Sequence, residues 1–327
     1  MSATAPRIAA VGAGRMGRGI ALAFAYAGYE FALIDLKPRE AAEAELLQRE
    51  ASEELAASLA SLAELGAMTQ AAAQRVLARI RFVPEALAAP ALAEAEVIFE
   101  SVPETLQAKR STFERLSALA RSDAILASTT STILATQLAP FATQPERMLN
   151  AHWLNPAYVI PLVELSAHPG TSPEVISRLR ALLEDIGKIP VLCGAAPGYI
   201  VPRLQALIMN EAARMVEEGV ASAEEIDKAT RYGLGLRFSA IGVIEFIDYG
   251  GNDILYYASR YLAQHLSRER YTAPAIVERL MQEGKNGLKS GQGFYDYSKR
   301  DVPAYRKDVL ARTLGALRHA GLFRPPR

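Results

Sequence analysis

Hydrophobic residues in the first half of the chain cluster in short dense runs, separated by longer stretches rich in Ala, Glu and Leu. Short apolar runs are typical of buried strands, whereas the longer stretches are typical of helices. The predicted strands are Arg7–Val11, Phe31–Ile34, Arg81–Val83, Val97–Glu100, Ile125–Ser128 and Met148–His152. The predicted helices between them include Pro38–Leu65, Thr69–Arg79 and Leu106–Arg121. This alternation predicts an α/β fold with a mostly parallel, doubly wound sheet.

The pattern becomes almost entirely helical in the last third of the chain. Two more strands, Ile160–Ser166 and Ile189–Leu192, flank a helix predicted over Ser172–Ile186. The segment CGAAPGY, residues 193–199, then interrupts the pattern and is interpreted as a linker. The helices predicted beyond it are Pro202–Glu218, Ser222–Tyr232, Ile254–His265, Pro274–Glu283 and Tyr305–Arg318. We therefore expect a sheet domain over residues 1–195 and an all-α domain over residues 196–327.

A glycine-rich loop follows the first predicted strand. Gly12, Gly14 and Gly17 have the spacing G-x-G-x-x-G and lead directly into a helix. The first glycine permits a tight turn, the second lets the backbone approach a pyrophosphate, and the third lets helix and strand pack closely. The phosphates then lie on N–H groups at the helix N-terminus. This order of elements predicts a Rossmann-type domain that binds a dinucleotide.

The residue that follows the second strand, Asp35, indicates which dinucleotide is bound. An acid at this position accepts hydrogen bonds from the ribose hydroxyls and repels a 2′-phosphate. NAD is therefore the expected cofactor, although Lys37 and Arg39 nearby would favour NADP.

Two polar residues interrupt the apolar strands of the segment MLNAHWLNPAYVIPLVELS. An antiparallel hairpin centred on Tyr158 would bring His152 opposite Glu164. A glutamate in an apolar strand is costly to bury unless it is paired, and the histidine is its natural partner. Glu164 would fix the tautomer of His152, whose second nitrogen could then remove a hydroxyl proton as hydride leaves the carbon. Without that glutamate, His152 would be interpreted as a structural histidine.

Composition and charge narrow the class of protein. The chain has 327 residues, with 36 Lys and Arg against 36 Asp and Glu, so it lacks the basic excess that nucleic acids and membrane surfaces select. The single cysteine, Cys193, allows no internal disulfide and no cysteine cluster, and we expect no metal site. No apolar run reaches the roughly 18 residues that span a bilayer. We expect a cytoplasmic enzyme that acts on a small molecule.

At the hairpin the sequence resembles the L-3-hydroxyacyl-CoA dehydrogenase superfamily, and the likeness covers nearly the whole chain. The matching motif residues are His152, Asn155, Pro156, Leu162, Val163 and Glu164. The resemblance implies that Ser131, in the segment STTST, is a catalytic serine that hydrogen-bonds the substrate hydroxyl. The cofactor contacts that it implies are Asp35, Glu104, Lys109, Ser131, Asn155 and Lys289. It also implies NAD preference and a homodimer formed through the helical C-terminal domain.

Each of these residues has a simpler interpretation. Ser131 could cap the next helix, and Asn155 before a proline is typical of a turn. Glu104 and Lys109 could be solvated helix charges, and Lys289 could be a residue of a glycine-rich loop without a role in binding. The single Trp153 fits packing, with lining of the substrate cleft as the alternative.

Two departures from the acyl-CoA enzymes bear on the substrate. Their active-site asparagine, in a Pro-Gly-Phe-x-x-Asn-Arg motif, aligns with Pro202, which has no side-chain donor. Their lysine-rich helical hairpin, which clamps the CoA phosphates, has no counterpart, because no lysine lies between Lys37 and Lys109 and the only basic residue from 41 to 74 is Arg49. A CoA polyanion would gain little on this surface.

The chain looks closer to the branch containing L-gulonate 3-dehydrogenase (the lambda-crystallin relative) and carnitine dehydrogenase, which act on free hydroxy acids. Those enzymes have an arginine where the acyl-CoA enzymes have a Pro-Met-Gly-Pro turn, and Arg237 in GLGLRFSAIG aligns with it. A guanidinium fork matches a carboxylate, so Arg237, with Asn155 and Trp153, is expected to contact substrate. The alternative is a surface arginine at a helix junction.

The leading hypothesis is an NAD-dependent oxidoreductase that converts the 3-hydroxyl group of a small free acid to a ketone. One alternative keeps the chemistry and makes the substrate a 3-hydroxyacyl-CoA thioester. The 3-hydroxyisobutyrate and 6-phosphogluconate class needs a lysine base near the domain junction, and no lysine occurs in Gly194–Glu211. The last alternative is an NAD-binding structural or sensor protein without turnover.

Overall fold

One eight-stranded sheet forms the centre of the first part of the chain in the computed structural model, which describes residues 7–326. Its strand order is β3-β2-β1-β4-β5-β6-β7-β8. The strands are β1 (Ile8–Val11), β2 (Phe31–Ile34), β3 (Ile80–Val83), β4 (Val97–Glu100), β5 (Ile125–Ser128), β6 (Met148–Trp153), β7 (Leu162–Ala167) and β8 (Ile189–Cys193). All neighbours pair in parallel except β6 and β7, which are antiparallel.

The central strands are buried on both faces, which explains their continuous apolar runs. Every residue of β1, β4 and β5 is buried. Alternate residues of β1 enter opposite cores: Ile8 and Ala10 pack in one hydrophobic cluster, and Ala9 and Val11 in another. Helices therefore cover both faces of the sheet, and the predicted doubly wound fold is confirmed.

The helices of this first part follow the strands in alternation. They are α1 (Arg15–Tyr26), α2 (Ala41–Glu64), α3 (Gln70–Ala78), α4 (Ala88–Glu94), α5 (Leu106–Leu119), α6 (Ala135–Leu138), α7 (Pro173–Asp185) and α8 (Val201–Glu217). Side-chain caps start three of them, because the hydroxyls of Thr69, Thr105 and Ser172 accept from backbone N–H groups in the first turn. Short 3₁₀ helices occur at Glu85–Leu87, Ala139–Phe141 and Pro145–Arg147.

The second compact unit starts at Asn210, within α8, and the first ends at Met209. The elements described beyond α8 are α9 (Ala223–Ala229), a π-helix (Thr230–Gly235), α10 (Leu236–Phe238), α11 (Val243–Gly250), α12 (Asn252–His265), α13 (Arg268–Tyr271), α14 (Ala275–Gln282) and α15 (Val302–His319). Ile241, Leu288, Tyr297, Tyr305 and Val309 form a small core of this unit. The predicted domain boundary at residue 195 stays a prediction.

All eight predicted strands are present, each within two residues of its expected ends. The sequence interpretation missed α4 and α11 and the short helices α6, α10 and α13, and it merged α9 with the π-helix. Over residues 7–326, no helix combines the length and the apolar character that crossing a membrane requires.

Candidate active site

The predicted site residues of the first unit cluster beyond the carboxyl ends of the parallel strands. β1, β4, β5 and β6 run in the same direction, so the loops that follow them meet at one edge of the sheet. In open α/β sheets this edge, near the point where the strand order reverses, is where ligands bind.

The three glycines of the loop after β1 differ in what surrounds them. Gly12 has φ +108°, and a Cβ there would lie 2.5 Å from the carbonyl oxygen of Ser101. A Cβ on Gly17 would lie 2.0 Å from the carbonyl oxygen of Gly12. Gly14, in contrast, faces open space, with nothing within 4 Å of such a Cβ. Two of the glycines thus allow close packing, and the third leaves its surface clear for a ligand.

This loop fits a pyrophosphate. Helix α1 starts at Arg15, its N-cap residue Gly14 provides no side-chain cap, and its first turn has no acidic residue. The free N–H groups and the helix dipole therefore favour an anion there. The residues present fit the phosphates of a dinucleotide.

Asp35 lies directly after β2 and borders a cavity of about 440 Å³. Its Oδ2 accepts from Nε of Arg39 at 2.5 Å, and its Oδ1 accepts from the N–H of Lys37 at 3.3 Å. Phe82 and Pro84 line the same cavity. A carboxylate beside a partly apolar cavity suits a ribose and its base. Arg39 places a positive charge next to that carboxylate.

A buried ion pair lies beside the loop after β4. Nζ of Lys109, in α5, is 3.0 Å from both carboxylate oxygens of Glu100, and these side chains are 1% and 0% exposed. Glu100 also accepts from the hydroxyl of Ser128 and from the N–H of Val102. Lys109 is 3.3 Å from Oε2 of Glu104 as well. The positive charge of Lys109 is therefore paired with carboxylates of the protein itself.

Glu104 holds the loop that carries Ser131. Its Oε1 accepts from the N–H groups of Ser131 at 2.9 Å and Thr132 at 3.0 Å, and from the hydroxyl of Thr130. Burial raises the pKa of Glu104, but the hydrogen bond from Thr130 and the charge of Lys109 outweigh it and lower the pKa to about 2. Glu104 is thus ionised at neutral pH. The structure connects Glu104 and Lys109 with the Ser131 loop, and their direct contact with a cofactor stays a prediction.

His152 and Glu164 face each other across the β6–β7 hairpin, in the predicted register. Nδ1 of His152 lies 2.8 Å from Oε2 of Glu164, and the residues are 5% and 0% exposed. Oε1 of Glu164 accepts from the N–H groups of Ile200 at 2.9 Å and Val201 at 2.8 Å. Every oxygen of this carboxylate has a partner, and in the described part of the chain Nε2 of His152 makes no hydrogen bond. The arrangement fixes the histidine and leaves one nitrogen for chemistry.

Sequence reasoning missed Tyr199. Its ring stacks on His152 with the ring centroids 5.0 Å apart and the planes 10° from parallel. Its hydroxyl donates to the carbonyl oxygen of Thr130 at 2.8 Å and accepts from Nδ2 of Asn150 at 3.0 Å. The available signal was a tyrosine in the segment PGYIVPR, where the motif quoted above has phenylalanine. Pro202 lies in the first turn of α8, where a helix does not need its N–H.

Two other predicted residues follow His152: Trp153 is the last residue of β6, and Asn155 lies in the loop after it. Asn155 borders a cavity of about 190 Å³ together with Arg15 and Arg18. Trp153 is 3% exposed and packs in the hydrophobic core against Phe24 and Phe99. Packing therefore accounts for Trp153, and its contact with substrate stays a prediction.

Arg237 and Lys289 belong to the second unit. Nζ of Lys289 is 2.5 Å from Oδ2 of Asp253. Arg237 is exposed, and its guanidinium carbon lies 4.7 Å from the ring centroid of Phe246. Stacking on an aromatic face orients a guanidinium while leaving its N–H groups able to bind an anion.

Comparison with known proteins covers almost the whole chain. The family model described as 3-hydroxyacyl-CoA dehydrogenase, NAD binding domain, matches residues 7–196, and the model of the C-terminal domain of the same family matches residues 198–297.

Relatives and solved structures agree with this match. The 5-formyl-3-hydroxy-2-methylpyridine 4-carboxylate 5-dehydrogenase of Mesorhizobium japonicum is 32% identical over 314 residues, covering 95% of this chain and 96% of that protein. The lambda-crystallin homolog of Bos taurus is 36% identical and covers 78% and 77%. The crystal structure of a 3-hydroxyacyl-CoA dehydrogenase from Archaeoglobus fulgidus superimposes with a TM-score of 0.75 at 29% identity, covering 98% of this chain and 100% of that one.

Proposed function

Because the chain belongs to the 3-hydroxyacyl-CoA dehydrogenase family, we propose that it oxidises the 3-hydroxyl group of a small free hydroxy acid to a ketone, with His152 as the base. The chain is an NAD-dependent oxidoreductase that acts on a CH–OH group. The observation that carries the mechanism is the buried contact of 2.8 Å between His152 and Glu164.

The roles of the chain's own groups follow from that contact. Glu164 accepts a hydrogen bond from Nδ1–H of His152, which leaves the lone pair on Nε2 as the proton acceptor. Glu164 also stabilises the imidazolium that forms once the substrate hydroxyl has lost its proton. Ser131, on an exposed loop held by Glu104, would orient that hydroxyl by hydrogen bonding. NAD, when bound, supplies the acceptor for the two electrons that leave the carbinol carbon.

The proposed cofactor residues have distinct tasks. The loop from Gly12 to Gly17 and the start of α1 would hold the pyrophosphate, and Asp35 would bind the ribose hydroxyls. Asn155 and Lys289 complete the contacts that the family resemblance assigns. Replacing Asp35 with Ser should weaken NAD binding and shift preference towards NADP, because Arg39 would lose the carboxylate that it now contacts.

Two features favour a free acid as the substrate. Helices α2 and α3 have no lysine, and their arginines are Arg49 and Arg75, so they offer little positive charge to CoA phosphates. Arg237 is exposed and oriented by Phe246, which suits it to a carboxylate. The relative from Mesorhizobium acts, by its name, on a carboxylate-bearing compound. The 3-hydroxyacyl-CoA substrate is the alternative, because the name of the superimposed Archaeoglobus enzyme indicates it.

We also propose a homodimer. Apolar side chains along α8 are between 42% and 64% exposed: Leu204, Leu207, Ile208, Met209 and Val216. Several exposed apolar side chains on one helix favour a protein interface. Light scattering should give twice the chain mass, and a monomer at micromolar concentration would exclude the interface.

The decisive experiment is a screen for NAD reduction over short 3-hydroxy acids, each as the free acid and as the CoA thioester. We expect turnover of the free acids. Arg237→Ala should lower kcat/KM for the free acid, with a loss of transition-state binding of about 2–5 kcal/mol. Arg237→Lys should rescue kcat/KM only in part, because an ammonium lacks the planar fork. Arg312→Ala, in a surface pair with Asp308, is the matched control.

Each possible result of the screen points to one hypothesis. Efficient turnover of the thioester that is insensitive to Arg237→Ala would establish the acyl-CoA alternative. NADH binding without turnover of any substrate would favour a structural or sensor role.

A further inference from the structure

Tyr199 covers one face of the His152 ring. The tyrosine is 5% exposed and its ring lies nearly parallel to the imidazole. The contact with Glu164 fixes one atom of the histidine, Nδ1, but a single hydrogen bond still allows the ring to tilt. A flat neighbour at stacking distance opposes this tilt. The direction in which Nε2 points therefore depends on Tyr199 as well as on Glu164.

The hydroxyl of Tyr199 continues the connection to the loop of Ser131. It donates to the carbonyl oxygen of Thr130, the residue before Ser131, and it accepts from the amide of Asn150. Asn150 lies two residues before His152 on β6, so both side chains are on the same face of the sheet. Burial raises the pKa of Tyr199 far above its ordinary value, so this hydroxyl keeps its proton and its role as a donor.

The backbone around Tyr199 has an unusual conformation. Gly198 has φ +78° and Tyr199 has φ +45°, a region that residues with a side chain rarely adopt. The next two N–H groups, of Ile200 and Val201, both donate to Glu164. Three consecutive residues thus hold both members of the His152–Glu164 pair, and a tyrosine keeps this backbone conformation only where such contacts support it.

We propose that Tyr199 is a positioning residue for the reaction: its ring sets the plane of His152, and its hydroxyl sets the spacing between that ring and the loop of Ser131. This inference rests on the proposed function, in which His152 and Ser131 act on the same substrate hydroxyl. Two groups that act on one oxygen must be held within a fraction of an ångström of the productive geometry. Tyr199 is the side chain that contacts the imidazole on one side and the serine loop on the other.

The first test removes the hydroxyl and keeps the ring. Tyr199→Phe should lower kcat roughly tenfold, the size of one hydrogen bond, and leave the KM for NAD unchanged. The matched control is Tyr29→Phe, which removes a tyrosine hydroxyl bonded to Asp185 in the same unit, at the opposite end of β2 from Asp35. The control should keep kcat within about twofold, as expected for a hydroxyl remote from the reacting groups.

A double substitution tests whether the hydroxyl acts through the serine loop. In a Ser131→Ala background there is no serine hydroxyl to position, so adding Tyr199→Phe should cost less than about twofold. If Tyr199→Phe costs the same factor with and without Ser131, or no more than Tyr29→Phe does, the positioning role is overturned. The assay uses whichever of 3-hydroxybutyrate and 3-hydroxybutyryl-CoA is turned over.

Histidine NMR tests the stacking without any substrate. The chain has four histidines, and the signal that disappears in His152→Ala identifies His152. Its ring protons should show the ring-current shift of a stacked tyrosine in the wild type and in Tyr199→Phe, and should lose it in Tyr199→Leu. An unchanged His152 signal in Tyr199→Leu would overturn the inference.

The outcomes separate the two proposals. If His152→Ala and Ser131→Ala keep their activity, the proposed function fails. If these variants lose activity but Tyr199→Phe behaves like Tyr29→Phe, only the role of Tyr199 fails.

Discussion

Glu100 and Glu164 are two glutamates of the same sheet, both 0% exposed, yet their surroundings serve different purposes. Glu100 contacts Lys109, whose side chain is 1% exposed. Glu164 contacts Nδ1 of His152, whose Nε2 makes no hydrogen bond among the described residues. Both groups of the Glu100 pair have partners, so removing one would leave a buried charge uncompensated, whereas the Glu164 pair leaves one histidine nitrogen available for proton transfer. The difference supports the proposal that the Glu164 region is the reactive one.

The largest effect is expected from breaking the Glu100 region. Lys109→Met leaves the Glu100 carboxylate buried without its counter-charge, which should cost about 3–5 kcal/mol in the free energy of unfolding. The control is Lys285→Met, which breaks an exposed pair with Glu283 and should cost less than about 1 kcal/mol. Urea unfolding measures both, and equal losses would contradict the structural role of the buried pair.

The Glu164 region should respond in kcat instead. In Glu164→Gln the amide oxygen can still accept from Ile200 and Val201, but the amide nitrogen then faces Nδ1 of His152 as a donor. The histidine would adopt the other tautomer, with the proton on Nε2, and could not act as a base. We expect kcat to fall by about 10²-fold or more with NADH affinity unchanged. A normal kcat would show that Glu164 does not orient the base.

The smallest effect concerns Glu104, which connects the Glu100 region with the Ser131 loop. Its pKa is lowered from 4.5 to about 2, so its ionised form stabilises the folded state. That stabilisation is complete above about pH 4.5 and is lost as the pH falls towards 2. Glu104→Gln should therefore flatten the pH dependence of unfolding in this interval. An unchanged slope would mean that Glu104 is not held as the structure describes.

The same comparison explains which parts could be predicted from the sequence. The strands were predictable because they are buried on both faces, and the register of His152 with Glu164 followed from a charge in an apolar strand. Helix α4 was missed because Pro90 in its first turn resembles a helix breaker. Helix α11 was missed because its run, VIEFIDYG, is apolar almost all round.

The contacts of Tyr199 could not be predicted from sequence. Its ring reaches His152 only because the chain turns at Gly198 with a positive φ and returns to the sheet edge. Nor does any local pattern indicate that Glu104 would accept hydrogen bonds from the N–H groups of Ser131 and Thr132, because those residues lie in a different loop. Tertiary structure, rather than periodicity, determines both features.

The central claim is that His152 removes the proton of the substrate hydroxyl, and one paired measurement on His152→Gln tests it. The NADH dissociation constant and kcat are determined on the same preparation. The account predicts an unchanged dissociation constant and a kcat lowered by about 10²–10⁴-fold, the usual contribution of a general base. A variant that binds NADH normally and keeps kcat within tenfold of the wild type would contradict it.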